Sequence, residues 1–160
     1  MILKSFQLNN LDINKGNNFI LFYGENKGFK EEETKKIIEK NKDRTVQTFD
    51  EKEILDKIEM FYETVYSKSL FEEKKIIRIN RTTDKLFSVI ETLLNKDFSD
   101  ITIIFNSDSL EKKSKIRSIF EKNKKMLCIP FYPDNQQTLS KIAQNFISKN
   151  NIKISYENIN

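Results

Sequence analysis

A chain of 160 residues with a formal net charge of +4, 38% hydrophobic and 32% charged, has room for one well-buried domain and the beginning of a second. The two charge signs are interspersed rather than blocked, so disorder is not expected; the positive balance permits contact with nucleic acid, but a cluster such as Lys122 to Lys125 reads first as a solvated face. Histidine is absent, which excludes Ser-His and Cys-His nucleophilic catalysis, and the single Cys128 excludes an internal disulfide. The opening stretch, MILKSFQLNN, turns polar too soon for a signal peptide or a membrane span, so a cytoplasmic protein with no membrane partner is the expectation.

Short β-rich runs alternate with stretches of helical periodicity, the pattern of a mostly parallel sheet covered on both faces. Phe19 to Tyr23 is the first strand, Gly24 makes the turn, and a helix is predicted from about Phe29 to Lys40 with Glu31, Glu32 and Glu33 in its first turn. Thr45 to Phe49 is the second strand. A long helix follows from Asp50 as cap to Tyr66, with Ile54, Leu55, Ile58, Phe61 and Val65 on one face. Strands at Lys75 to Asn80, Ile101 to Phe105 and Met126 to Pro130 are separated by helices at Asp84 to Leu94 and Leu110 to Glu121, and Cys128 is expected as buried filler in the last strand.

A domain boundary is expected near Tyr132 to Asn135, giving a first domain over 1–133 and the start of a second over 134–160. After Pro133 a helix is capped by Asp134 or Asn135 and carries Leu139, Ile142, Ala143, Phe146 and Ile147. The chain closes on a fresh cap at Ser155 with no helix behind it, which predicts a piece of something longer.

In open α/β sheets ligands bind beyond the carboxyl ends of the strands, so the turn after the first strand is the first place to look for chemistry. Counted from Gly24, Lys30 falls on the lysine position of a phosphate loop. Phe29 stands where the second glycine belongs and would fill space the phosphates need; Glu31 replaces the hydroxyl residue that would hold magnesium. The turn thus has phosphate-loop layout without phosphate-loop chemistry, and Lys30 is either a remnant or a coincidence in a lysine-rich chain. The third strand ends Arg78-Ile79-Asn80-Arg81 without the carboxylate pair of a working ATPase. Asp84 reads as a helix cap before a metal ligand, and Asn106 as a turn former or a γ-phosphate sensor. No catalytic residue, metal ligand or cofactor is assigned.

Leu70 and Phe71 are apolar residues in the polar segment YSKSLFEEKK, open to two readings. They tuck under the sheet edge, or they plug a partner's pocket; burying both would contribute roughly 3 to 6 kcal/mol, the scale of an interface hot spot.

The order and spacing of FILFYGENKGFKEEETKKI, SLFEEKKIIRIN, DITIIFNSDSLEKKSKI and FYPDNQQTLSKIAQNFI resemble the delta subunit of the bacterial clamp loader over nearly the whole chain. The resemblance implies an AAA+-type, phosphate-loop-NTPase-like α/β fold: a five-stranded parallel sheet of order 5-1-4-3-2 with flanking helices, followed by the start of a helical lid. It implies a subunit of the DNA polymerase III holoenzyme that hydrolyses nothing itself. Its partners would be the ring-shaped sliding clamp (the beta subunit), other clamp-loader subunits that handle ATP, and primer-template DNA through the assembly. Ser69, Leu70 and Phe71 match the family's clamp-binding motif, while Gly24, Phe29, Lys30 and Glu31 match its non-functional phosphate loop. Two rivals stand beside it: an active phosphate-loop ATPase resting on Gly24 and Lys30, and a magnesium-dependent receiver-like module using Asp50 and Asp108.

Overall fold

The computed structural model describes residues 18–67, 74–96 and 100–152. Strand β1 (Phe19–Tyr23) leads through α1 (Lys27–Lys40) to β2 (Thr45–Asp50), α2 (Glu51–Asp56) and α3 (Ile58–Tyr66). Next come β3 (Lys75–Asn80), a 3-10 turn (Asp84–Leu86) continued by α4 (Phe87–Leu94), β4 (Ile101–Asn106), α5 (Lys115–Lys122), β5 (Met126–Pro130) and α6 (Gln136–Lys149). All strand pairs are parallel, in the order β2-β3-β4-β1-β5, which is the order the resemblance implies. Strand β1 lies between β4 and β5, with Phe19 opposite Ile103 on one side and Met126 on the other. Its FILFY run is buried throughout, as a strand packed on both faces requires. No described helix is long and apolar enough to cross a membrane.

Alternation along the strands divides the core into two layers. Leu21, Ile77, Ile79 and Phe105 face a layer built with Ile54, Phe61, Val65, Leu86, Ile90, Ile116 and Phe120 from α2 to α5. Ile20, Phe22, Ile76, Ile104, Leu127, Ile129 and Phe131 face the other side, where α1 contributes Ile37 and, less deeply, Phe29 and Ile38. Cys128 is fully buried in the first layer, where loss of hydration pushes its thiol up to about 12 and leaves it an inert apolar filler.

Four details differ from the expectations. Helix α1 begins at Lys27 rather than Phe29, because the Asn26 side chain accepts the Phe29 N–H at 3.0 Å and caps the helix two residues early; Glu31, Glu32 and Glu33 therefore lie beyond the first turn. The long helix expected over 50–66 breaks at Lys57, whose backbone (φ −139, ψ 55) is not helical, and Leu55, expected on the inner face, is 41% exposed. No glycine or proline marks that break.

The helix expected from Leu110 begins only at Lys115, and Asp84, which opens the 3-10 turn after β3, turns its carboxylate to that later helix. Thr83 takes the cap position of the 3-10 turn, while the Asp84 carboxylate accepts the Ser114 hydroxyl at 2.7 Å, the Ile116 N–H at 3.0 Å and the Lys115 N–H at 3.1 Å. A residue remote in sequence thus satisfies the first amides of α5. Helix α6 is capped by Asn135 and has no buried residue; Leu139, Ile142 and Phe146 are each more than half exposed.

Partial burial alone would push the Asp84 carboxyl up, but the hydrogen bonds from Ile116, Ser114 and Lys115 outweigh it and hold its pKa below the usual carboxylate value. Its contribution is therefore present above the unfolded pKa of about 4 and is lost as pH falls through the lower folded value. Asp84→Ala should lower stability in denaturant unfolding by about 1 kcal/mol at pH 7, with the gap to the parent narrowing as the buffer is taken down past the unfolded carboxylate value of about 4.

Candidate functional site

The carboxyl ends of β1, β3 and β4 converge beside the first turn of α1. Gly24 there has φ +122, and a Cβ at this position would lie 2.2 Å from the Phe131 carbonyl oxygen, so only glycine fits. Phe131 N–H donates to the Tyr23 carbonyl at 2.7 Å, and the Phe131 carbonyl accepts the Asn26 N–H at 3.3 Å. The Gly24 N–H donates to the Asp108 carbonyl at 3.2 Å. A phosphate loop aims such amides at its ligand; here Gly24, Asn26 and Phe29 spend theirs on the protein itself.

Lys30 sits inside α1 rather than at the mouth of a loop. Its side chain is buried, and its ammonium donates to the Ser107 carbonyl at the end of β4, with the exposed Asp108 carboxylate 4.0 Å away. Burial pushes this ammonium below its ordinary pKa, and Asp108 partly restores it. The lysine therefore ties α1 to the β4 end. Phe29 packs edge-on against Phe131, with ring centroids 5.3 Å apart.

Glu31, in the place of the magnesium-holding hydroxyl, forms a two-pronged ion pair with Arg78 of β3. Arg78 Nε donates to Asn80 Oδ1 at 2.9 Å, and the Asn106 amide lies 3.5 Å from the same oxygen. The network Glu31–Arg78–Asn80–Asn106 occupies the edge where a working ATPase holds carboxylates, magnesium and the γ-phosphate. Arg78 and Asn26 were not singled out in the sequence. A charged residue inside the apolar run KIIRIN was the available signal, since a half-buried guanidinium needs a partner.

The two aspartates of the receiver-like rival are separated by β3, because Asp50 ends β2 and Asp108 follows β4. Asp50 pairs with Arg81, and Asp108 with Lys27 at 3.5 Å. Among the described residues no three acidic, cysteine or histidine side chains gather as a metal site would need. Ser69, Leu70 and Phe71 lie outside the described residues, as does Ser155.

Lys30→Met keeps the apolar stem and removes the donor from a buried carbonyl. It should cost about 1–3 kcal/mol in denaturant unfolding, and magnesium-ATP should shift the melting of neither protein. A nucleotide-dependent shift in the parent alone would make Lys30 a phosphate ligand.

No protein-family model matches the chain, and no curated protein does. Among solved structures, the Bacillus subtilis DNA clamp loader delta protein (YqeN) superposes with a TM-score of 0.66 at 13% sequence identity, over 91% of this chain and 48% of that one. The chain thus spans about half the length of that protein. At this identity the likeness speaks to fold: a parallel five-stranded α/β sheet of the AAA+ type, shared with a clamp-loader delta protein.

Proposed function

We propose that the chain is a clamp-loader subunit that binds and opens a sliding clamp during DNA replication, within a DNA polymerase III assembly, and that leaves ATP hydrolysis to neighbouring subunits. The observation that carries this reading is the self-satisfied first turn. A fold of ATPase type in which the amides of Gly24, Asn26 and Phe29, the lysine and the edge carboxylate are engaged with the protein has the scaffold of a motor without a seat for fuel. Gly24, Phe29, Lys30 and Glu31 are accordingly read as a phosphate loop turned structural. The likeness to a clamp-loader delta protein supports the same reading.

Ser69, Leu70 and Phe71 are the proposed clamp contact, and their described flanks suit that role. The Lys75 ammonium donates to the Ser67 carbonyl at 2.7 Å and to its hydroxyl at 3.1 Å, so the two ends of the intervening segment are joined at the amino edge of the sheet. Lys75 N–H donates to the Asp100 carbonyl at 2.9 Å, and the Lys74 carbonyl accepts the Thr45 N–H at 3.0 Å, which anchors the same base to the sheet. Ends held together in advance reduce the ordering cost of docking. Residues 1–133 form the clamp-contacting domain in this reading, and 134–160 open a lid whose further helices would cover the bare face of α6. Primer-template DNA is reached through the assembly.

Opening a ring requires a partner that binds the open form more tightly than the closed one. In a pull-down with the organism's sliding clamp, Leu70→Ala combined with Phe71→Ala should weaken capture by about a hundredfold or more while leaving thermal unfolding unchanged. If that double variant instead loses its folded state, the pair belongs to the core and the clamp assignment falls.

A further inference from the structure

The chain leaves the sheet at the end of β5 and reaches α6 through residues 131–135. Helix α6 buries none of its side chains, so packing does little to fix the direction in which it points. The linker is instead tied to the turn after β1 at two points. At the first, the Phe131 carbonyl accepts the Asn26 N–H at 3.3 Å, and the Phe131 ring packs edge-on against Phe22 and Phe29, with centroids 5.0 and 5.3 Å apart. At the second, three residues on, the Asp134 carboxylate accepts the Asn26 side-chain amide at 2.7 Å. Between the two ties lie Tyr132, 71% exposed, and the exposed Pro133.

Asp134 immediately precedes Asn135, which caps α6 by accepting the Thr138 N–H at 2.9 Å while its own N–H donates to the Thr138 hydroxyl at 2.8 Å. The second tie therefore acts at the root of a capped, fourteen-residue rod about 20 Å long. Asn26 serves both ends at once. Its Oδ1 accepts the Phe29 N–H at 3.0 Å and starts α1, its carbonyl accepts the Lys30 N–H at 3.1 Å, and its Nδ2 goes to Asp134. The two partners fix which end of the amide is which, since a backbone N–H needs the oxygen and a carboxylate needs the nitrogen. Aspartate at this position would cap equally well but would have nothing to donate.

The groups that a ligand would use to bridge this turn and the arm are already engaged within the chain, namely the amides of Gly24, Asn26 and Phe29, the Lys30 ammonium and the Glu31 carboxylate. We propose that Asn26 and Asp134 form a latch, and that the hydrogen bond between them, rather than a bound ligand, sets the direction in which α6 leaves the domain. The latch is independent of the clamp contact and would stand if that assignment failed. A bond of this kind, exposed to water, favours the latched arrangement by about fivefold, enough to bias the arm and weak enough to release it.

The test is the distance between spin labels on Lys35→Cys in α1 and Gln144→Cys in α6, both exposed positions, read by double electron–electron resonance on the 160-residue chain. Cys128 is fully buried and takes no label. The parent should show one dominant distance. Asn26→Asp, which keeps the cap and loses the donor, and Asp134→Ala, which leaves α1 untouched, should each cut the excess of that distance over the others by about fivefold, with melting at the parental value. Asn26→Asp combined with Asp134→Asn moves the donor to the other side and should restore the parental distribution. Single variants that both keep the parental distribution, or an exchanged pair that stays broadened, would overturn the proposal. So would a shift of the parental distance on adding magnesium-ATP, which would give the direction of α6 to a bound ligand.

Discussion

The contact on which the site depends is the one between Gly24 and the end of β5. With φ +122 and no side chain, Gly24 lets the Phe131 carbonyl come to where a Cβ would be. That approach allows Phe131 to bond both Tyr23 and Asn26, so the outgoing end of the sheet is drawn across the incoming turn. A turn so closed has no slack: Asn26 caps at once, α1 starts at Lys27, and Lys30 is carried inward to the Ser107 carbonyl. One small residue thereby decides both the length of the loop and the fate of the lysine.

Much of the architecture was legible because burial on both faces writes itself into β1 and β5, and into β4 apart from Thr102 and the closing Asn106, as continuous apolar runs. The helix boundaries were less so. Asp84 looked like a local cap because the sequence puts it just before an apolar helix, yet it serves amides some thirty residues downstream, a partnership that exists only once the 3-10 turn and α5 are packed together. The break at Lys57 was invisible for a related reason. Ile54, Ile58, Phe61 and Val65 keep helical spacing across it, and periodicity records which face is buried but not whether the backbone stays continuous.

At the site, substitutions were readable and their consequences were not. Phe29 and Glu31 could be seen to spoil a phosphate loop by their size and charge. That Phe29 would rest on Phe131, and that Glu31 would find Arg78 across the sheet, depends on pairings between residues far apart in the chain. Counting from Gly24 placed Lys30 in register with a catalytic lysine, whereas the early cap at Asn26 shifts it into the body of the helix. Register in sequence and register in space part company once a loop is consumed by the helix behind it.

Asn26 has a second attachment: its amide nitrogen donates to the Asp134 carboxylate at 2.7 Å, just ahead of α6. The joint from which that arm departs is thus moored to the first turn. A lone exposed hydrogen bond is worth about 1 kcal/mol, about fivefold in population. A substitution at Asn26 would therefore reach both the cap of α1 and the residue that leads into α6.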